Sequence, residues 1–201
     1  MLSENQIKLL PLVKQFIREY YLVGGTAIAL LLGHRRSIEF DLFKPSEIRH
    51  KNIIEKVSAF NYPVQVTRRV TEQMNLSILD VKFTFYEYPF TIEAKHKFEN
   101  ILRMPDLIDL AAMKAYALGR RSKWKDYVDL YFLLKHNFSV TQICFRAKEI
   151  YSQLFSEKLF RAQLAYFDDI DYTEPVEFMT HTVHDEEIKS FLIDKAIDIG
   201  L

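Results

Sequence analysis

The chain carries one cysteine in 201 residues, Cys144, which excludes a disulfide framework and fits a reducing compartment. Its apolar helical setting reads as that of a small buried hydrophobe. No run of about 18 apolar residues is present, so no membrane-spanning helix is expected. Glu4, Lys8 and Lys14 interrupt the apolar positions of the N-terminus, which argues against a signal peptide and for a cytoplasmic protein. Charge of either sign is not in excess: 27 basic and 27 acidic residues cancel, which removes any bulk electrostatic attraction to nucleic acid. An RNA or DNA contact must then rest on a local basic patch. Repeats and low-complexity linkers are lacking too. What is there is a core: 16 Phe and 11 Tyr supply enough apolar surface for one sizeable core or two small ones, and they argue against disorder.

Glycine is also scarce, five in all, and two stand together in Tyr21-Leu22-Val23-Gly24-Gly25-Thr26-Ala27, between a strand-like and a helix-like apolar run. Glycines at a strand-to-helix junction let successive backbone N–H groups face outward, where they bind phosphate oxygens. Close helix–strand packing calls for glycine as well, so the turn gains its meaning from the acids downstream of it. In Ser37-Ile38-Glu39-Phe40-Asp41-Leu42-Phe43, alternation puts Glu39 and Asp41 on one face of a strand and Ile38, Phe40 and Leu42 on the other. Two like charges at that spacing repel unless a cation lies between them. A pair of converging carboxylates suits Mg²⁺, with Mn²⁺ as an alternative, since a hard ion takes oxygen ligands and keeps waters and substrate phosphates as the others. A phosphate cradle beside a metal site is what phosphoryl or nucleotidyl transfer requires.

The remaining pattern divides near residue 104, giving segments 1–104 and 105–201. The first reads as α+β: helix 5–19, helix 26–32 ended by Gly33, strand 37–43, helix 49–60, and strand-like runs over 63–70, 75–79 and 80–93. The second reads as helical, over 106–118, 125–135, 140–155, 157–167 and 186–199, and is expected to complete the active-site cleft. Lys114 sits among small and apolar residues, and Arg121 falls two turns on, on the same face if the helix persists through Gly119. Two cations on one face suit a triphosphate; an ordinary solvated pair is an equal alternative. Asp126 and Asp129, one turn apart, either cap a helix and pair with Arg121, Lys123 or Lys125, or orient the lysine or an attacking hydroxyl. Arg120, Arg121, Lys123, Trp124 and Lys125 form the best basic cluster with an interleaved aromatic, and a solvated turn competes with a nucleic-acid role. His181 and His184 have metal-like spacing but lack further ligands, which favours a surface loop.

With these residues in place, the chain resembles the nucleotidyltransferase-fold AbiEii/AbiGii family, the toxin halves of bacterial toxin–antitoxin and phage-defence systems. The likeness rests on 21–27, 33–43, Met113-Lys114 with Arg121, and 125–134, with a weaker match at 165–170. It implies a nucleotidyltransferase core, a mixed sheet flanked by helices, followed by a helical half. It implies that Gly24, Gly25, Thr26 and Ser37 contact an NTP, that Glu39 and Asp41 hold Mg²⁺, and that Lys114, Arg121 and Asp126 match the family's lysine, arginine and last acidic position. Glu39 stands where Asp is more usual, one carbon longer with the same ligand type. A third acid is frequent on a later strand of this superfamily, and Asp80-Val81-Lys82-Phe83-Thr84 offers Thr84 there, with Lys82 and Asp80 on the same face. The implied reaction transfers NMP from NTP to an acceptor hydroxyl, with tRNA 3′ ends the first guess and a cognate antitoxin as partner. Protein hydroxyls and small molecules such as aminoglycosides come behind. The competing class is a degenerate member that binds nucleotide, RNA or a partner without turnover.

Overall fold

The computed structural model describes residues 1–118 and 120–198. Gly119, on which the continuity of the Lys114–Arg121 face depends, and Ile199, the expected end of the last helix, lie outside the described residues. The chain forms two compact units: Met1–Leu30 with Arg36–Asp106, and Leu31–Arg35 with the residues from Leu107 onward.

The first unit is built on one mixed sheet of seven strands: β1 (Tyr21–Val23), β2 (Glu39–Lys44), β3 (Gln65–Val70), β4 (Gln73–Ile78), β5 (Val81–Glu87), β6 (His96–Phe98) and β7 (Leu102–Met104), in the order β3-β4-β5-β2-β1-β7-β6. β2 runs antiparallel to β1 and parallel to β5, so it lies between them. The helices are α1 (Glu4–Lys14), α2 (Gly24–Leu32) and α3 (His50–Ser58). Ser3 opens α1 with a reciprocal capping box, its hydroxyl accepting from the Gln6 N–H while the Gln6 side chain accepts from the Ser3 N–H. The alternation of β2, β4 and β5 sends Phe40, Leu42, Met74, Leu76, Phe83 and Phe85 to a fully buried face. Phe16 and Tyr20, just beyond α1, close on Phe85 at centroid distances of 4.8 and 5.4 Å.

In the second unit, α4 (Leu107–Leu118) packs against α5 (Trp124–His136) and α6 (Val140–Tyr151), while α7 (Glu157–Leu164) and α8 (Asp185–Ile197) complete it. Every residue of α5 from Asp126 to Leu134 is buried, which makes it the unit's central helix. Cys144 is buried on α6.

The α+β class and the mixed sheet flanked by helices agree with the sequence; several boundaries differ. Helix 5–19 stops at Lys14, where the Gln15 N–H bonds to Leu12 and Val13 and the chain tightens into turns. Helix 140–155 breaks at Ser152, whose φ of +49° cannot continue an α-helix. Strand 80–93 spans only Val81–Glu87, and Asp80 is not on it: Leu79 and Asp80, with φ of +50° and +61°, are the two-residue turn joining β4 to β5. Asp80 therefore does not stand in for a third acid on that strand. β6 and β7, three residues each, are too short for alternation to reveal.

Candidate active site

Glu39 and Asp41 project from one face of β2, the half-buried face, opposite the buried Phe40 and Leu42. Gly24 is the first residue of α2 and follows β1 directly; its φ is +71°. A Cβ built there would lie 2.2 Å from Asp41 Oδ2. Only glycine accepts both the left-handed backbone and the carboxylate filling the space where a side chain would begin. The Gly-Gly turn and the second acid are thus one constellation, with the free N–H groups of the first turn of α2 beside it. Gly24→Ala is expected to lower stability by about 1–3 kcal/mol and to displace the Asp41 carboxylate. A thermal melt together with a metal titration checks both effects.

Thr26 and Ser37 lock this corner. Thr26 Oγ1 reaches the Glu39 carbonyl, and lies 2.8 Å from Ser37 Oγ. A carbonyl only accepts and a hydroxyl has one proton, so Thr26 donates to Glu39 and Ser37 donates to Thr26. Their hydroxyls pin the start of α2 to the start of β2. The backbone N–H of Thr26, in the first turn, is the group suited to a phosphate.

The chemistry of the carboxylate pair fits a divalent metal ion. Both ligands are oxygens on one strand face, Glu39 keeps about a third of its side chain exposed, and one or two carboxylates are the usual protein share of such a site. Lys82 lies 3.2 Å from Glu39 Oε1, the cation that relieves the like-charge pair. Thr84 pairs with Asp41 across β2 and β5, the register at which a third carboxylate would stand. Among the described residues no group of three His, Cys, Asp or Glu side chains converges as a metal site.

The second unit holds a buried charge cluster. Lys114 on α4 places Nζ 2.5 Å from Asp126 and 2.9 Å from Asp129, both on α5. Arg121 grips Asp126 with Nε at 2.8 Å and Nη2 at 3.2 Å. It does so from beyond the helix, because α4 ends at Leu118, so the two cations meet through a shared carboxylate rather than along one helix face. Arg35 chelates Asp129 with Nε at 2.7 Å and Nη2 at 2.9 Å, and His34 Nε2 lies 2.8 Å from the same carboxylate. Burial works to raise the pKa of Asp126, but Lys114 and Arg121 outweigh it and hold the carboxyl below its usual range. Burial likewise opposes the charge on Asp129, yet Arg35 and Lys114, with hydrogen bonds from His34 and Arg35, hold it well below that range. For Lys114 burial lowers the pKa and the two aspartates reverse it, leaving it raised.

Residue patterning offered Asp129 as a cap or as a group orienting the lysine, but did not single out His34 and Arg35 as its partners. The available signal was Asp129 itself, an acid inside Tyr127–Leu134 that is apolar all round and therefore needs a buried partner. The basic cluster at 120–125 does not form a stacking surface. Arg120 stacks on Tyr116, Lys123 and Lys125 pair with Glu174, and Trp124 is buried beside Tyr127 and Tyr172. His184 precedes α8 and His181 lies in the exposed loop before it, as expected.

The family description "Nucleotidyl transferase AbiEii toxin, Type IV TA system" matches residues 12–196. An uncharacterized protein from Aquifex aeolicus is 31% identical over 165 residues, covering 75% of each chain. Among solved structures, MenT4, a nucleotidyltransferase toxin from Mycobacterium tuberculosis, superposes with a TM-score of 0.63 at 12% identity, over 95% of this chain and 81% of that one. JHP933 from Helicobacter pylori does so with a TM-score of 0.57 at 20% identity, over 98% and 92%. At such identities these structures speak for the fold, while the family match spans all the motifs described above. The chain belongs to the AbiEii family of nucleotidyltransferase toxins of type IV toxin–antitoxin systems.

Proposed function

We propose that this nucleotidyltransferase moves NMP from an NTP to an RNA 3′ hydroxyl, with tRNA ends as the leading candidate, in a Mg²⁺-dependent reaction that releases pyrophosphate. The observation that supports the reading is the interlock of Gly24 with Asp41, a glycine turn suited to phosphate in contact with a carboxylate suited to a metal ion. In this reading Gly24, Gly25 and the Thr26 N–H bind the triphosphate, Thr26 and Ser37 fix the corner, and Glu39 and Asp41 hold the ion. Bound there, the ion would neutralise charge developing on the transferred phosphoryl group. Within the second unit, Lys114 and Arg121 are cationic donors suited to phosphate. Asp126 orients both, since each donates to it and retains further N–H groups. A cognate antitoxin is the protein partner that goes with a type IV toxin.

A second reading is favoured by one observation, Thr84 facing Asp41 in the sheet: a member that binds nucleotide or RNA without turnover. Pyrophosphate release with each NTP, total RNA and Mg²⁺ separates the two. Release that stops on adding EDTA is the expected result. Nucleotide binding without release, for all four NTPs, would favour the binding module.

A further inference from the structure

We propose that the open face of β5, β4 and β3 is the track for the acceptor, and that its occupant is the 3′-terminal segment of a single-stranded RNA. The inference rests on the nucleotidyl-transfer reading above for its direction, and on the sheet for its substance. β2 has two neighbours, and the phosphate-binding turn follows one of them, β1. In phosphoryl transfer the attacking and leaving oxygens lie roughly in line. With pyrophosphate leaving on the β1 side of the acids, the attacking hydroxyl arrives from the β5 side.

The register shows what lies there. Asp41 pairs with Thr84, Thr84 with Asn75 and Asn75 with Arg68, while Glu39 pairs with Lys82, Lys82 with Ser77 and Ser77 with Gln65. Paired residues share a face, so two parallel rows run outward from the acids across three strands, about 14 Å at the usual strand spacing. Every residue of those rows beyond the acids is exposed or half-exposed and polar, whereas the opposite face of β4 and β5 is sealed core. Beyond Glu39 and Asp41 the rows hold no carboxylate; their charges are Lys82, at Glu39, and the exposed Arg68 at the outer end. One row further along, Phe43 and Tyr86 sit half-buried on the same face with ring centroids 5.1 Å apart.

Cations spaced along a polar path, flanked by aromatic rings, match a strand that carries a phosphate at every residue and bases that stack. A cationic small molecule would call for acids along the path, and an apolar peptide for grease. Arg68 is thus placed to contact a phosphate a few nucleotides back from the reacting end. The β3 backbone leaves room for this, because a bulge between Val66 and Arg68 turns Arg68 onto the Asn75 face.

The test uses the full chain and an unstructured RNA oligonucleotide with a free 3′ hydroxyl. Binding is measured by fluorescence anisotropy across a salt series, and transfer is measured alongside. Arg68→Glu is expected to weaken RNA binding and raise the acceptor KM by about tenfold or more, with the KM for NTP unchanged. Arg68→Ala should reduce the slope of log affinity against log salt by about one, and Arg68→Lys should restore it. Thermal melts of the same variants establish that each is folded, as expected for an exposed edge-strand position. Unchanged RNA affinity and acceptor KM in Arg68→Glu overturn the proposal, as does label appearing on a protein or an aminoglycoside instead of RNA. If the wild type transfers nothing yet binds RNA in an Arg68-dependent way, the transfer reading fails and the RNA surface stands.

Discussion

Asp41→Asn is expected to abolish transfer and to leave the fold intact. The substitution keeps the shape that fits over Gly24 but removes the charge proposed to hold the ion, so the packing of the turn should survive while metal binding is lost. Losing metal-assisted charge neutralisation is expected to cost several kcal/mol at the transition state, on the order of 10³-fold or more in rate. Thr84→Ala, one strand away in the same register, should change the rate far less, because a hydroxyl cannot replace a metal-binding carboxylate. Initial rates of both variants, measured beside their melting temperatures, decide the matter. An Asp41→Asn protein as active as wild type would remove the ion from the account.

The largest stability effect is expected at Asp129→Asn. The wild-type carboxylate is fully buried and neutralises Arg35 and Lys114 together. An asparagine leaves both cations buried with one charge too few, and breaking such a network by removing one partner costs about 3–5 kcal/mol. Urea unfolding followed by far-UV circular dichroism measures it. The pH dependence has a definite sign. The folded-state pKa values of Asp126 and Asp129 are lowered, so their stabilisation is complete above the unfolded carboxylate range and is lost as pH falls through the lowered values. Lys114, with its pKa raised, contributes fully below the ordinary lysine value and loses its contribution only as pH climbs past the raised one. The cluster thus stabilises across the neutral range and fails on the acid side, and Asp129→Asn should flatten that acid limb. An unfolding free energy within about 1 kcal/mol of wild type at neutral pH would contradict this picture.

The sheet was legible where alternation was long. The strand-like runs at 75–79 and 80–93 hold Leu76 and Ile78, then Val81, Phe83 and Phe85, and the structure pairs them as β4 and β5 with those side chains sealed on one face. The turn between them was not legible, because Leu79 and Asp80 adopt positive φ without the glycine or asparagine that normally marks it. The Gly-Gly turn and the two acids could be read separately from spacing. That Asp41 fills the space above Gly24 could not, since it depends on β1 and β2 lying side by side with Val23 opposite Asp41. The Arg35 and His34 side of the charge cluster stayed hidden for a similar reason. Lys114, Asp126 and Asp129 lie close in sequence, but Arg35 is 94 residues from its partner and no local period reports such a pair.

The central claim is tested most directly by where the label of an NTP goes. The full chain is incubated with Mg²⁺, total RNA and each NTP labelled at either the α- or the γ-phosphate, and the RNA is resolved on a denaturing gel. Nucleotidyl transfer predicts that α-label enters discrete RNA species in the wild type and not in Asp41→Asn, while γ-label is released with pyrophosphate. Transfer of γ-label, or no labelled RNA with any α-labelled NTP although nucleotide is bound, would contradict it.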